Sequence, residues 1–240
     1  MDFRRYYSIV EATHTIQNPT SPHKMDRLID VLQLTNHHHV LDIGCGKGWL
    51  LTRMAERCGI RGTGIEINPW FCTAAHARAH MAGVAERVSI IESDARHIPL
   101  ADAQYDAAVC IGASFALGDL HTCVTTLRRV VKPGGYIAVG DIYRYEHVPT
   151  IERWRTVPSL PELVDQVRGP HEPLELITAS VEEFDMYYSR QWRAAQQWQA
   201  SNMDDPDYAD FCQRVAEQRD DYLHYERPYI GWAIVVAPTA

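Results

Sequence analysis

The chain has 240 residues, of which 46% are hydrophobic, and this length fits one large α/β domain with a sizeable core. Lysine and arginine number 23 against 31 aspartates and glutamates, which gives a formal net charge of −8. This charge disfavours nucleic acid as a partner, because contacts to phosphates draw on clustered basic side chains. No apolar run reaches the ~18 residues of a membrane helix, and residues 1–7 lack a signal-peptide core, so we expect a cytoplasmic protein without a membrane partner.

Cysteine and histidine offer no metal pattern. The six cysteines are scattered without a CxxC pair, which indicates reduced, buried thiols and neither a disulfide framework nor a zinc site. His37, His38 and His39 are adjacent in a short loop, and such neighbours do not converge on one ion as spaced ligands do. We therefore expect no bound metal.

After a polar, aromatic stretch through Thr20, segments of helical periodicity alternate with short apolar runs. The predicted helices cover residues 22–34, 48–57, 69–82, 120–131, 161–168, 181–199 and 206–225. The predicted strands cover residues 39–43, 62–67, 88–92, 105–111, 135–141, 174–179 and 229–237. This alternation is typical of βαβ units, whose right-handed crossovers bring the carboxyl ends of the first five strands to one edge, where ligands bind.

A glycine-rich turn follows the first predicted strand, with glycines at positions 44, 46 and 48. Glycine lets the backbone turn sharply and lets a ligand approach without a Cβ atom in the way. Dinucleotide enzymes hold a pyrophosphate on a related turn with GxGxxG spacing. Here the spacing is GxGxG, and Asp42 would repel a pyrophosphate but could accept hydrogen bonds from a ligand with a positive end.

Carboxylates also end the second and third predicted strands. Glu66 lies 24 residues after Asp42, close to the ~20-residue offset at which α/β nucleotide folds place a ribose-binding carboxylate. A carboxylate there accepts hydroxyl hydrogen bonds and disfavours a 2′-phosphate, so an unphosphorylated ribose is indicated. Asp94 could accept from an adenine amine, and capping of a turn is its alternative role.

Together these segments resemble the class I S-adenosylmethionine-dependent methyltransferases. The matching motifs are VLDIGCGKG, GIEIN, SDARHIPL, YDAAVCIGASFALGD and LRRVVKPGGYIAVGD, in family order across residues 40–141. A small-molecule subset is also similar at Asn18-Pro19 and in QWRAAQQW. The resemblance implies an α/β, doubly wound, seven-stranded and mostly parallel Rossmann-like methyltransferase sheet, with helical additions at the N-terminus and between the last two strands. One domain would then span 1–240: a helical cap (1–36), a cofactor-binding core (37–141) and a substrate-side region (142–240).

The same resemblance implies S-adenosylmethionine as cofactor and S-adenosylhomocysteine as product. Glu66 would bind the ribose hydroxyls, Ile67 would pack on the adenine, and Gly44 and Gly46 would border the methionine moiety. The full set of implied cofactor-binding residues is Asp42, Gly44, Cys45, Gly46, Glu66, Ile67, Asp94, Ala95 and Ile111.

The end of the fourth strand departs from one family pattern. Residues 111–115 read Ile-Gly-Ala-Ser-Phe, whereas adenine and amide N-methyltransferases carry [DN]PP[YF] there, so a nucleobase or glutamine amide is not expected as substrate. Aromatic flanks suggest a small apolar or aromatic metabolite, since rings bury large areas and bind π systems or cationic amines. The nominated residues are Tyr7, His14, Ser114 and Phe115 for substrate binding, and Tyr143 and His147 for orienting or deprotonating the substrate.

The predicted helical pair at 181–226 is rich in aromatic residues. It is interpreted as a lid over the substrate or as a homodimer surface, with packing against the sheet edge as the alternative. Two other functions also stay open. A nicotinamide-dependent oxidoreductase shares the strand–turn–helix unit, although the GxGxG spacing and the KPGG turn argue against it. A catalytically silent cofactor-binding module would keep the same residues.

Overall fold

A computed structural model of the chain describes residues 1–146 and 154–239. Within that part, the strands are β1 His39–Ile43, β2 Arg61–Glu66, β3 Val88–Glu92, β4 Tyr105–Ile111, β5 Val131–Arg144, β6 Glu175–Thr178 and β7 Ile230–Pro238. They form one sheet in the order β3-β2-β1-β4-β5-β7-β6. The first five strands pair in parallel, and β7 runs antiparallel to β5 and β6. The predicted doubly wound, mostly parallel sheet is confirmed.

The helices are α1 Phe3–Val10, α2 Pro22–Val31, α3 Trp49–Cys58, α4 Pro69–Met81, α5 Leu120–Val130, α6 Leu160–Arg168, α7 Val181–Ser201 and α8 Tyr208–Asp221. Local signals explain where several of them begin. Asn68 caps α4 by accepting from the Trp70 N–H, and Pro69 occupies its first turn. Ser180 and Glu183 form a capping box at the start of α7. The expected helical addition between the last two strands is therefore present as α7 and α8.

Three elements differ from the sequence prediction. Helix α1 lies within the stretch before Thr20, where Asp2 accepts hydrogen bonds from the Arg4 and Arg5 N–H groups. Strand β5 extends beyond residues 135–141 at both ends, because Val131 pairs with Tyr105 of β4 and the strand pairs with β7 as far as Arg144. The predicted helix 206–225 ends as α8 at Asp221, and a π-helical turn, Tyr222–Glu226, follows it.

The central strands are buried on both faces of the sheet. In β7, Ile234 and Val236 pack with one apolar cluster, and Ala233 and Val235 pack with the cluster on the other face. This explains why the strand is almost continuously apolar and does not alternate with polar residues. A third cluster joins α1 to α7 and α8 through Tyr6, Val10, Ala195 and Phe211.

Candidate active site

A cavity of about 740 Å³ lies at the carboxyl ends of β1, β2 and β4. Residues of α1 and of the segment after it form part of the wall. The cavity is lined by every residue nominated for cofactor binding: Asp42, Gly44, Cys45, Gly46, Glu66, Ile67, Asp94, Ala95 and Ile111. The sheet thus brings together residues that are as far apart as 69 positions in the sequence, from Asp42 to Ile111.

The glycine turn after β1 requires glycine for two reasons. Gly44 and Gly46 have φ angles of +69° and +53°, in the left-handed region that side chains disfavour. A Cβ atom at Gly44 would also lie 2.3 Å from the Ala113 Cβ, and one at Gly46 would lie 2.2 Å from the Gln17 Oε1. The N–H groups of Gly44 and Cys45 donate to the Ile65 carbonyl, which ties the turn to β2.

Glu66 holds this turn from the end of β2. One carboxylate oxygen accepts from the Gly46 N–H at 2.9 Å, and the other accepts from the Asn68 N–H at 2.8 Å. Burial raises the pKa of Glu66, and these backbone hydrogen bonds offset part of that rise. Each oxygen retains a further acceptor position, so the carboxylate can receive two hydroxyl groups of a ligand.

Asp42 is a second buried carboxylate on the cavity wall. It is 3% exposed, and its side chain accepts no hydrogen bond from the residues that the structure describes. Burial raises the pKa of Asp42 well above its usual value, and the nearby charge of Glu66 raises it further. A buried carboxylate without a partner is costly, so this position suits a ligand that supplies hydrogen-bond donors or a positive charge.

Asp94 caps a turn, which is the alternative role that its sequence context allowed. It caps a short 3₁₀ turn by accepting from the Arg96 N–H, and its carboxylate forms an ion pair with the Arg96 guanidinium at 2.5 Å. Arg96 holds the pKa of Asp94 well below its usual value. Ile67, by contrast, presents an apolar side chain that is 43% exposed on the cavity wall, where a flat aromatic ring can pack.

The segment after α1 covers the glycine turn, a feature that the sequence reasoning missed. The Gln17 side chain accepts from the Lys47 N–H at 2.6 Å and donates to the Glu11 carboxylate at 2.6 Å. Lys47 Nζ in turn donates to the Glu11 carbonyl at 2.5 Å. Glu11 is fully buried, which raises its pKa, and it also accepts from the hydroxyl of Tyr187. No spacing pattern marks Glu11 or Gln17, because their partners lie at distant points of the chain.

A second, smaller cavity of about 260 Å³ adjoins the first. The two cavities share the lining residues Tyr7, Gln17, Asn18, Gly112 and Tyr187. The other described residues that line the second cavity are Pro19, Ile142, Trp154, Phe184, Tyr188, Glu226, Ile230 and Trp232. The site is therefore a large cavity with a smaller chamber beside it, and this second cavity, called the aromatic chamber below, is rich in aromatic side chains.

The structure places the four nominated substrate residues in different surroundings. Tyr7 lines both cavities and Phe115 lines the first. His14 and Ser114 line neither cavity. A His14 ring nitrogen is hydrogen-bonded to the Tyr187 carbonyl, and burial lowers the His14 pKa to about 4, while Ser114 donates to the Asp141 carboxylate.

Neither nominated catalytic residue is found on a cavity wall. Tyr143 lines neither cavity, and His147 lies outside the residues that the structure describes. Tyr143 is 9% exposed, its ring contacts Tyr145, and a Cβ atom at Gly231 would lie 2.3 Å from that ring. Its position on β5, packed against β7, does not support a catalytic role. His147 falls outside the described residues, so its nomination stays a prediction.

Within 1–146 and 154–239, no helix is long and apolar enough to cross a membrane. Over the same ranges, no group of three or more histidine, cysteine, aspartate or glutamate residues is arranged to hold a metal ion.

Comparison with known proteins identifies the family. A family described as a methyltransferase domain matches residues 40–135. The protein YjhP of Escherichia coli strain K12 is 30% identical and aligns over 98% of each chain, and its X-ray structure gives a TM-score of 0.88. A SAM-dependent methyltransferase from Geobacter sulfurreducens, crystallised with S-adenosyl-L-homocysteine, is 30% identical over 98% of both chains, also with a TM-score of 0.88. The 27-O-demethylrifamycin SV methyltransferase of Amycolatopsis mediterranei is 35% identical over 48% of this chain and 43% of its own length.

The chain belongs to the class I S-adenosylmethionine-dependent methyltransferases. Within this class it is similar to YjhP and the Geobacter enzyme over almost its whole length. It is an enzyme, and S-adenosylmethionine is its cofactor. These comparisons do not favour the nicotinamide-dependent oxidoreductase or the catalytically silent module.

Alanine at Gly46 should weaken cofactor binding, because the new Cβ atom would displace the Gln17 side chain and disturb the turn. We expect Gly46→Ala to lower the affinity for S-adenosylhomocysteine by at least about tenfold, or ~1.4 kcal/mol, in calorimetric titration. Gly134→Ala is the matched control: φ there is +79°, yet nothing lies within 4 Å of an added Cβ. Equal affinities for the two variants would contradict the assignment of the turn.

Lowering the pH should also weaken cofactor binding, and Glu66 should account for this effect. Its pKa is raised above 4.5 in the free protein, and hydroxyl donors of the ligand favour the ionised form, so protonation competes with binding as the pH falls. Titrations with S-adenosylhomocysteine from about pH 8 to about pH 5 should show weakening binding. Glu66→Gln should bind more weakly at the upper end and depend less on pH, and an unchanged pH profile would remove Glu66 from the site.

Proposed function

We propose that the enzyme methylates a small metabolite with an apolar or aromatic body, and that this acceptor occupies the second cavity. The observation that carries the proposal is the shared boundary between the two cavities, formed by Tyr7, Gln17, Asn18, Gly112 and Tyr187. The first cavity contains the residues matched to cofactor binding. The aromatic chamber is therefore the adjacent space from which an acceptor can reach the methyl group.

Bound S-adenosylmethionine supplies a methyl group that its positively charged sulfur already activates. The protein has to hold the acceptor in line with that group, and positioning of this kind can contribute about 7–11 kcal/mol. Glu66 and the glycine turn fix the cofactor side of the site. Rings at the boundary, Tyr7 and Tyr187, are placed to orient the acceptor, and both are held by packing or hydrogen bonds within the helical layer.

Exclusion of water is the second task of the site. Helix α1 and residues 11–18 form the cover of the first cavity, and Lys47 holds them by donating to the carbonyls of Glu11, Ala12 and His14. A closed site keeps water away from the reacting atoms and strengthens electrostatic interactions inside. The helical pair at 181–226 contributes Tyr187 to both cavities, and this contribution supports a role as a lid for its first helix, α7.

We also propose a cytoplasmic location and an acceptor that is not a nucleic acid. All six cysteines are free, as in a reducing compartment, and the net charge of −8 opposes binding to phosphate backbones. A homodimer stays a prediction without an assigned surface.

Transfer of a labelled methyl group tests the function. The purified enzyme is incubated with methyl-labelled S-adenosylmethionine and fractions of a small-metabolite extract, and we expect label in at least one fraction. Glu66→Ala should lower the rate at least about tenfold at subsaturating cofactor, a loss of ~1.4 kcal/mol. Glu92→Ala is the matched control, because Glu92 pairs with Glu66 in register at the end of β3 but lines neither cavity. No transfer in any fraction, or equal rates for the two variants, would contradict the proposal.

A further inference from the structure

Tyr187 is one of the residues at the boundary between the two cavities, and its hydroxyl group is bonded to a buried carboxylate. Its ring lines both cavities, and its hydroxyl donates to the Glu11 carboxylate. Glu11 lines the first cavity and is 4% exposed. The hydroxyl of Tyr187 therefore lies at the edge of the cofactor cavity, where an acceptor in the aromatic chamber would reach the methyl group.

The direction of this hydrogen bond determines what Tyr187 can offer to a ligand. Because its proton is directed to Glu11, the phenolic oxygen can only accept a further hydrogen bond. The ring meets His14 and Tyr188 edge to face, with centroids 4.8 Å and 5.5 Å apart, and these contacts hold it in place. A ligand group that contacts the phenolic oxygen must therefore be a hydrogen-bond donor.

Glu11 is suited to receive a proton from Tyr187. Burial raises the pKa of Glu11, and the hydrogen bonds from three neighbouring side chains, together with the charge of Lys47, offset part of that rise. The titratable groups that face the carboxylate are Tyr187 on α7, Lys47 in the glycine turn and Tyr7 on α1. The donors and the cation favour the ionised form, and burial makes that form more basic than an exposed carboxylate.

Different classes of methyl acceptor make different demands at this boundary. A neutral amine reacts through its lone pair and needs no base, and an anionic acceptor has already lost its proton. A carbon acceptor forms no ordinary hydrogen bond to Tyr187. A hydroxyl oxygen becomes strongly acidic when it bonds to the methyl group, so its proton has to leave during the transfer. Among these classes, the hydroxyl both donates to Tyr187 and requires a proton acceptor.

We propose that the methyl acceptor is a hydroxyl group, and that Tyr187 and Glu11 remove its proton. This inference rests on the proposed function, since it takes the aromatic chamber as the acceptor site. The acceptor oxygen bonds to the methyl carbon while the carbon–sulfur bond breaks and its electron pair stays on sulfur. The acceptor's proton passes to the Tyr187 oxygen as the Tyr187 proton passes to Glu11, and Glu11 releases it to solvent after the products leave.

This pair replaces Tyr143 as the means of deprotonation. Tyr143 lines neither cavity, whereas Tyr187 lines both. Tyr187 contacts the acceptor and is the catalytic residue, and Glu11 acts through it. The two residues are 176 positions apart in the chain, so that only the fold brings them together.

A matched pair of probes tests the contact with Tyr187 without turnover. Phenol carries a hydroxyl group, and toluene carries a methyl group of similar size in its place. Binding of each to the enzyme saturated with S-adenosylhomocysteine is measured by ligand-observed NMR. We expect Tyr187→Phe to lower the ratio of phenol to toluene affinity about fivefold, because one hydrogen bond contributes ~1 kcal/mol. Tyr208→Phe is the matched control, since it removes the same group from α8 and lines neither cavity, and it should leave the ratio unchanged.

The pH dependence of methyl transfer tests the role of Glu11. Rates are measured with saturating labelled S-adenosylmethionine, which removes the effect of Glu66 on cofactor binding, and with the extract fraction that accepts the label. A base must be ionised, so the wild-type rate should fall as the pH drops through the raised pKa of Glu11.

Two variants locate this effect. Glu11→Gln keeps an oxygen for the Tyr187 hydroxyl but cannot take up its proton, so the rate at about pH 8 should fall at least about tenfold and lose its pH dependence. Glu217→Gln removes the same charge from the exposed surface of α8 and should change neither. The labelled product should be a methyl ether.

The outcomes separate this inference from the proposed function. Failure to bind S-adenosylhomocysteine, or absence of label from every fraction, would contradict the function itself. A product methylated on nitrogen, sulfur or carbon would overturn the hydroxyl assignment alone, and this result depends on no variant. An unchanged affinity ratio in Tyr187→Phe, or a Glu11→Gln rate and pH profile equal to those of the wild type, would likewise overturn the inference.

Discussion

The hydrogen bond between the Gly46 N–H and the Glu66 carboxylate links the two parts of the sheet on which the site depends. It joins the turn after β1 to the end of β2. The Glu66 carboxylate that accepts this hydrogen bond is buried, and the surrounding protein satisfies only part of its hydrogen-bonding capacity. Asp42 adds a second buried carboxylate nearby, and the charge of Glu66 raises the pKa of Asp42 beyond the effect of burial. Their charges become favourable when a ligand brings hydroxyl groups and a positive charge into the cavity.

The cover of the site depends on the same turn. Gly46 leaves room for the Gln17 side chain, Lys47 holds the segment after α1, and Glu11 connects that segment to Tyr187 on α7. The glycine turn therefore borders the cofactor cavity on one side and contacts the segment after α1 on the other. A change in this turn is expected to affect both cofactor binding and the position of that segment.

Much of the fold could be predicted from the sequence, because the central strands carry strong local signals. The bounds of β1, β3 and β4 were predicted to the residue, since each is a compact apolar run with clear flanks. Helix α1 could not be placed in this way, because it has only eight residues and much of its support comes from packing on α7, which lies far along the chain. The extension of β5 to Arg144 likewise comes from pairing with β7, a contact that the sequence of β5 does not reveal.

The two cavities also differ in how far the sequence could predict them. The residues of the first lie in motifs at strand ends, so that a resemblance could identify them. The second is assembled from residues between positions 7 and 232, and no motif in the sequence marks its aromatic side chains as members of one site. His14 and Ser114 show the opposite case. The sequence suggested them as substrate-binding residues, but in the structure they form hydrogen bonds with Tyr187 and Asp141 and line neither cavity.

A crystal structure of the enzyme with S-adenosylhomocysteine tests the account most directly. The account predicts ribose hydroxyl oxygens within hydrogen-bond distance, about 2.5–3.0 Å, of the Glu66 carboxylate, the adenine against Ile67, and the sulfur facing the boundary with the aromatic chamber near Gly112. A sulfur atom directed to bulk solvent, or a ligand bound outside the first cavity, would contradict it.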